Sequence, residues 1–82
     1  MKSAASANAE GFAATATGVG ALARGDQSTA SGAVANALGD YSTATGSQSY
    51  AEGAGATAVG FNAAAYEDGN VAVGRNASAL GA

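Results

Sequence analysis

Alanine alternates with a more variable, often polar residue in short runs along this chain, and nearly every run ends at a glycine. In the segment Ala35-Asn36-Ala37-Leu38-Gly39, an extended backbone places the two alanines on one side and Asn36 and Leu38 on the other. A period of two predicts a β-strand. The glycine predicts a turn after the strand, because glycine reaches positive φ without steric cost.

The run recurs every seven residues, which predicts a stack of one small unit. The register position is glycine with the single exception of Glu67, and we expect these to be structural turn glycines: Gly11, Gly18, Gly25, Gly32, Gly39, Gly46, Gly53, Gly60, Gly74 and Gly81. Two residues earlier stands an unbroken alanine column, which we expect to line a narrow lumen: Ala9, Ala16, Ala23, Ala30, Ala37, Ala44, Ala51, Ala58, Ala65, Ala72 and Ala79. Four residues before the register position the residue is alanine or serine, except at Asn70.

A coiled coil is the other structure with a seven-residue period, and the residue types exclude it. Glycine in a helix interior costs about 1 kcal/mol relative to alanine. No column of leucine or isoleucine provides the buried seam that a coiled coil needs.

Successive heptads differ on their variable side, so two heptads together form one coil of a solenoid with a strand in each of two parallel sheets. One set includes the charged residues Glu10, Arg24 and Glu52, as expected for a sheet facing solvent. The other set is uncharged and mostly β-branched, which suits a strand packed on both sides: Thr15, Thr17, Thr29, Ser31, Thr43, Thr45, Thr57, Val59, Val71 and Val73. About eleven strands make a stack about 26 Å tall, at the usual spacing of parallel strands.

The one break in the glycine column is Glu67, which is followed directly by Asp68-Gly69. No residue is inserted there, since Gly60 and Gly74 are still two heptads apart. We expect Gly69 to supply the positive φ in a slightly different turn.

The chain has 82 residues, and we interpret residues 1–82 as a single domain, with repeats from about 7 to 82 and a terminal segment of residues 1–6. Hydrophobic residues make up 48% of it, but most are alanine and contribute little apolar area on burial. A short chain with such a core predicts self-association. The segment Met1–Ala9 is not apolar enough for a signal peptide, and no apolar stretch is long enough to cross a membrane.

Candidate chemistry is sparse, and the sequence predicts no enzyme, no metal site and no cofactor. Histidine and cysteine are absent, which removes the commonest general base and thiol nucleophile. The net charge is −3 and the chain lacks a basic patch, which argues against a nucleic-acid partner. We also expect no membrane contact by this chain.

Three segments carry a resemblance to a known family: Ala56-Thr57-Ala58-Val59-Gly60, Gly69-Asn70-Val71-Ala72-Val73-Gly74 and Ser42-Thr43-Ala44-Thr45-Gly46. They resemble the YadA-like head repeats of bacterial trimeric autotransporter adhesins, and the likeness spans about residues 7–82. The resemblance implies a left-handed parallel β-roll that assembles as a homotrimer, at the surface of a bacterium whose full-length protein is anchored in the outer membrane. It also implies attachment to host extracellular matrix or cells. Asn70 and the threonines depart from the family pattern, so the ligand-binding residues stay unknown.

In such a homotrimer the uncharged set of threonines and valines would line the three-fold axis. Two other functions stay open at this point. The threonine ladder could instead form an ice-binding surface, or the solenoid could be a passive spacer in a surface fibre. Phe12 and Phe61 are expected to pack between protomers. Exposed tyrosines could be adhesive anchors, or they could equally pack across the groove between protomers.

Overall fold

The computed structural model describes residues 7–80, and they form a solenoid of eleven short parallel strands. Three-residue and two-residue strands alternate along the chain. The strands are β1 (Asn8–Ala9), β2 (Thr15–Thr17), β3 (Leu22–Ala23), β4 (Thr29–Ser31), β5 (Asn36–Ala37), β6 (Thr43–Thr45), β7 (Tyr50–Ala51), β8 (Thr57–Val59), β9 (Ala64–Ala65), β10 (Val71–Val73) and β11 (Ser78–Ala79). The predicted all-β parallel solenoid is confirmed. No helix in this part of the chain could span a membrane.

The strands divide between two sheets according to the two sets of heptads. The threonine sheet has the order β10-β8-β6-β4-β2, and the mixed sheet has the order β1-β3-β5-β7-β9-β11. Each strand pairs in parallel with the strand one coil further on, so that Thr15 lies beside Thr29 and Leu22 beside Asn36. The predicted 14-residue coil is therefore confirmed.

The core is a layer of alanine between the two sheets. The alanines two residues before the register position are fully buried from Ala16 to Ala65. The first and last alanines of this column, Ala9 and Ala79, are partly buried. The Cα trace is only 11 Å thick in its narrowest direction. In the inner coils, a side chain larger than alanine or serine would have to push the sheets apart.

Serine replaces alanine in the core without leaving a polar group unsatisfied. The Ser28 hydroxyl donates a hydrogen bond to the Gly25 carbonyl oxygen at 2.6 Å, and the Ser42 hydroxyl donates to that of Gly39 at the same distance. The larger Asn70 is held similarly, since its Nδ2 donates to the Ala79 carbonyl oxygen at 3.0 Å. These bonds avoid the cost of burying an unpaired donor.

Each strand from β1 to β10 is followed by the same kind of turn. The backbone N–H three residues after the register position donates a hydrogen bond to the carbonyl oxygen of the register residue. In one such turn, Ala35 donates to Gly32 at 3.2 Å. The third residue of the turn has a φ between 56° and 75°, as in a type II turn: Ala13, Gly20, Gln27, Val34, Tyr41, Gln48, Gly55, Asn62, Gly69 and Asn76. Most of these residues are not glycine, so the chain tolerates the left-handed conformation with side chains that disfavour it.

The predicted reason for the glycine column is wrong for half of the turns. Glycines that follow the threonine sheet do have positive φ, as at Gly32 with φ 121°. The four glycines within residues 7–80 that follow the mixed sheet, represented by Gly25, do not. A Cβ on Gly25 would overlap the carbonyl group of Gly39 in the next coil, so glycine is required there by the close approach of two backbones.

The turn at Glu67 is not reshaped, contrary to expectation. Gly69 has a φ of 74°, but it occupies the position at which Tyr41 has a φ of 62°. The backbone N–H of Asn70 donates a hydrogen bond to the Glu67 carbonyl oxygen at 3.1 Å, and the backbone N–H of Ala14 donates to the Gly11 carbonyl oxygen in the same way. Glu67 therefore changes the side chain on this turn but keeps its backbone conformation.

Candidate binding surfaces

The solenoid presents four surfaces: the outer faces of the two sheets and two edges built from turns. The acidic edge consists of the turns that lead from the mixed sheet to the threonine sheet, residues 11–13, 25–27, 39–41, 53–55 and 67–69. The arginine edge consists of the turns that lead back, residues 18–20, 32–34, 46–48, 60–62 and 74–76. The described residues enclose no pocket, so a partner would bind to one of these surfaces.

The outer face of the threonine sheet carries two ladders of side chains and no charge. All ten residues expected at the trimer axis lie on it, stacked in register: Thr15, Thr29, Thr43, Thr57 and Val71 in one ladder, and Thr17, Ser31, Thr45, Val59 and Val73 in the other. Val71 and Val73 are 63% and 66% exposed in the single chain. The face is hydroxyl-rich near the N-terminal coils and apolar near the C-terminal coils.

The outer face of the mixed sheet is polar at one end and aromatic towards the other. The Arg24 guanidinium lies 3.2 Å from a Glu10 carboxylate oxygen, across one coil. Tyr50 and Tyr66 form a tilted ring pair with centroids 5.6 Å apart. Burial raises the pKa of the Tyr50 hydroxyl, and the charges of Glu52 and Tyr66 raise it further.

The acidic edge is organised by aspartates that bridge successive coils. The Asp26 carboxylate accepts a hydrogen bond from the Phe12 amide at 3.0 Å, and Asp40 accepts one from the Asp26 amide at 2.9 Å. Asp68 accepts one from the Ala54 amide at 2.9 Å. The side chain of Phe12 is 76% exposed on this edge.

The arginine edge pairs a cation with an aromatic ring. The guanidinium carbon of Arg75 lies 6.0 Å from the centroid of the Phe61 ring, which is within the range of a cation–π interaction. Asn62 Nδ2 donates to Asn76 Oδ1 at 3.0 Å, one coil away. Val19 and Val34 are exposed on the same edge.

These edges are the feature that sequence reasoning missed. A signal was available, because Asp26, Asp40 and Asp68 are spaced by multiples of fourteen residues and therefore lie on one edge. Of the predicted structural residues, only Gly81 lies outside the described part of the chain. No cluster of possible metal ligands occurs in residues 7–80.

The geometry defines a two-sheet parallel β-solenoid repeat protein with an alanine core. A family model of the YadA head domain repeat, in two copies, matches residues 9–35, 23–49, 37–63 and 51–77. Successive matches are offset by one coil and together cover residues 9–77. The chain belongs to the YadA head repeat family, and the resemblance inferred from the sequence is confirmed.

The repeat is a structural repeat of adhesin heads and not an enzyme family. A search of curated proteins finds no match to the chain. The family indicates an adhesin head exposed at the cell surface.

Proposed function

We propose that this chain is the head segment of a homotrimeric bacterial adhesin, in which three left-handed β-rolls pack their threonine sheets around a common axis. One observation carries the proposal. Of the nine exposed large hydrophobic side chains in residues 7–80, seven lie on the threonine face or on the two edges that flank it: Val71 and Val73 on the face, and Phe12, Val19, Val34, Tyr41 and Phe61 on the edges. A trimer around this face would remove them from water.

The core gives an independent reason for assembly. Alanine methyl groups bury little apolar area, and the chain is short. Packing three copies buries a second, uncharged layer outside the threonine sheet, which is apolar at its C-terminal end. The charged residues Glu10, Arg24 and Glu52 are all on the opposite face and stay in solvent.

The mixed face then becomes the outer surface of the trimer and the surface that meets a host. It repeats along the coils and around the three-fold axis, so that weak contacts with an extracellular matrix protein or a cell surface add by multivalency. Tyr50, Tyr66 and the nearby Leu38 are its apolar contact residues. In the full-length protein this head would be held at the bacterial surface by an outer-membrane anchor and would contribute to virulence.

Sedimentation equilibrium tests the assembly. We expect the unmodified chain to sediment as a trimer and Thr43→Lys to sediment as a monomer or to unfold, because the substitution places three ammonium groups close to the axis. Glu52→Lys, on the mixed face, is the matched control and should remain trimeric. A folded trimer of Thr43→Lys would overturn the placement of the threonine face.

Binding to immobilised collagens, laminin and fibronectin tests the adhesive role. The double variant Tyr50→Ala with Tyr66→Ala should lose binding while it remains trimeric. A trimer that binds none of the matrix proteins and no host cells would instead be a passive spacer.

One observation favours a second candidate, an ice-binding surface. Thr15, Thr29, Thr43 and Thr57 are aligned in register on one face of a parallel sheet, which gives a regular array of hydroxyl groups. A monomer with thermal hysteresis that Thr43→Lys abolishes would support it. The change to Val71 and Val73 at the end of the ladders suits an oligomer interface better, because an ice-binding array should stay uniform.

A further inference from the structure

A three-fold assembly fixes which edges meet, and this inference rests on the proposed trimer. Three parallel solenoids around one axis bring the acidic edge of each copy against the arginine edge of the next, as in any cyclic, heterologous contact. A pure rotation moves no copy along the axis, so residues of the same height face each other. This holds whichever sheet faces the axis.

The heights follow from the chain path. Each turn of the arginine edge comes one strand after a turn of the acidic edge, which places it about 2.4 Å further along the stack, half the usual spacing of parallel strands. The turn at Arg75 therefore lies within half a spacing of the turn at Glu67 and Asp68 in the neighbouring copy, and no other described turn of the acidic edge is so close. The turn at Phe61 lies midway between two turns of the neighbouring acidic edge, one at Ala54 and Gly55 and one at Glu67 and Asp68.

The charges are complementary where the turn at Arg75 meets the turn at Glu67 and Asp68. Within residues 7–80 Arg75 makes no ion pair in its own chain, and its guanidinium is placed over the Phe61 ring. Asp68 is fixed by the hydrogen bond from the Ala54 amide, and Glu67 adds a second carboxylate to the same turn. The acidic edge carries no cation in its described turns, and the described turns of the arginine edge carry no carboxylate.

The shapes match at other levels. Phe61 is 46% exposed, and one of the two turns that flank it, Gly53-Ala54-Gly55, has the smallest residues of any described turn of the acidic edge. A Cβ placed on Gly55 would meet nothing within 4 Å, so there is open space on that turn. In the N-terminal coil, the turn that carries the exposed Phe12 in one copy lies within half a spacing of the turn that carries the exposed Val19 in the next copy.

We propose that the two edges form the seam between copies of this chain, with Arg75 of one copy paired to Glu67 and Asp68 of the next. Glu67 breaks the glycine column where this pairing needs a carboxylate. This pairing needs only the side chain of Glu67, so the turn keeps the same backbone conformation as the other turns. The seam sets how neighbouring copies align and which chains can assemble together.

Charge exchange tests the seam. Arg75→Glu alone and Glu67→Arg with Asp68→Asn each place like charges across all three contacts, and each should raise the trimer dissociation constant about tenfold or more. Asp68→Asn keeps the oxygen that accepts from Ala54. Combining all three substitutions restores opposite charges and should return the dissociation constant to that of the unmodified chain. Circular dichroism checks that every variant folds.

Mixed assembly distinguishes selective pairing across the seam from a general contribution of these residues to folding, which would not make the two chains sort. The combined variant and the unmodified chain should sort into separate trimers when they are refolded together and weighed by native mass spectrometry, because both kinds of mixed contact bring like charges together. High salt should weaken the sorting. The matched control, Arg24→Glu with Glu52→Arg on the mixed face, should co-assemble at random with the unmodified chain.

The outcomes separate this inference from the trimer itself. Unmodified trimers together with random mixing, or an Arg75→Glu trimer of unchanged stability, would overturn the seam and leave the proposed function standing. An unmodified chain that remains monomeric at every concentration would overturn both.

Discussion

The threonine sheet and the mixed sheet are made from the same heptad, and they differ in what each does with its outer side. Both contribute an alanine layer to one core and both end in turns with a left-handed third residue. The threonine sheet has three-residue strands and an uncharged face, whereas the mixed sheet has two-residue strands and carries the charges. The inside of the repeat is constrained by the space between the sheets, and only the outside can specialise.

The largest expected effect tests whether the core-facing sides of the two sheets are equally intolerant of larger side chains. Ala44→Leu and Ala51→Leu place three extra carbons in the core from the threonine sheet and the mixed sheet respectively. Both should lower the free energy of unfolding by about 3 kcal/mol or more, because the core has no free volume and the opposite backbone is close. Urea unfolding at a fixed protein concentration measures the change.

Ala64→Leu is the control for that experiment, since Ala64 points outward from the mixed sheet. It should change stability by about 0.5 kcal/mol or less. If Ala51→Leu were tolerated while Ala44→Leu was not, the two sheets would not share one core.

A smaller effect compares the two edges through the same residue. Gln27 lies on the acidic edge with φ 56° and Gln48 on the arginine edge with φ 61°. Gln27→Asn and Gln48→Asn should each stabilise the fold by about 0.5 kcal/mol, because asparagine visits the left-handed region more readily. Thermal unfolding measures both.

The opposite change at one of those positions sharpens the comparison. Gln48→Val introduces a β-branched side chain in the left-handed region and should lower the melting temperature. Unequal gains for the two asparagine variants would mean that the turns of the two edges are strained differently.

The smallest effect belongs to the mixed face alone and depends on pH. The pKa of Tyr50 is raised in the folded state, so the stability that it contributes is fully present below pH 10 and is lost as the pH rises through the folded-state value. Tyr50→Phe should make the unfolding midpoint less sensitive to pH above 10. An unchanged pH profile in Tyr50→Phe would contradict the assignment.

Much of the fold follows from the sequence because the repeat is local and its pattern is complete. The alanine column at Ala16, Ala30 and their equivalents gave the narrow core, and the alternation of heptads gave the two sheets. Gly69 has the positive φ that was expected of it, but the reshaped turn expected at Glu67 was wrong, since the third residue of the other turns is left-handed too. The edges were missed because their residues lie in turns, where no alternation marks a common face.

The sequence by itself determined the period, the parallel strands and the small-residue core, because each depends on contacts that repeat every seven or fourteen residues. Only the tertiary structure decided why Gly25 must be glycine and which turn residues bond to each other from coil to coil. Gly25 has no unusual φ, and its constraint is the backbone of the next coil at Gly39. That approach exists only once the coils are stacked, and the same stacking brings Asp26 and Asp40 together on one edge and Phe61 and Arg75 on the other.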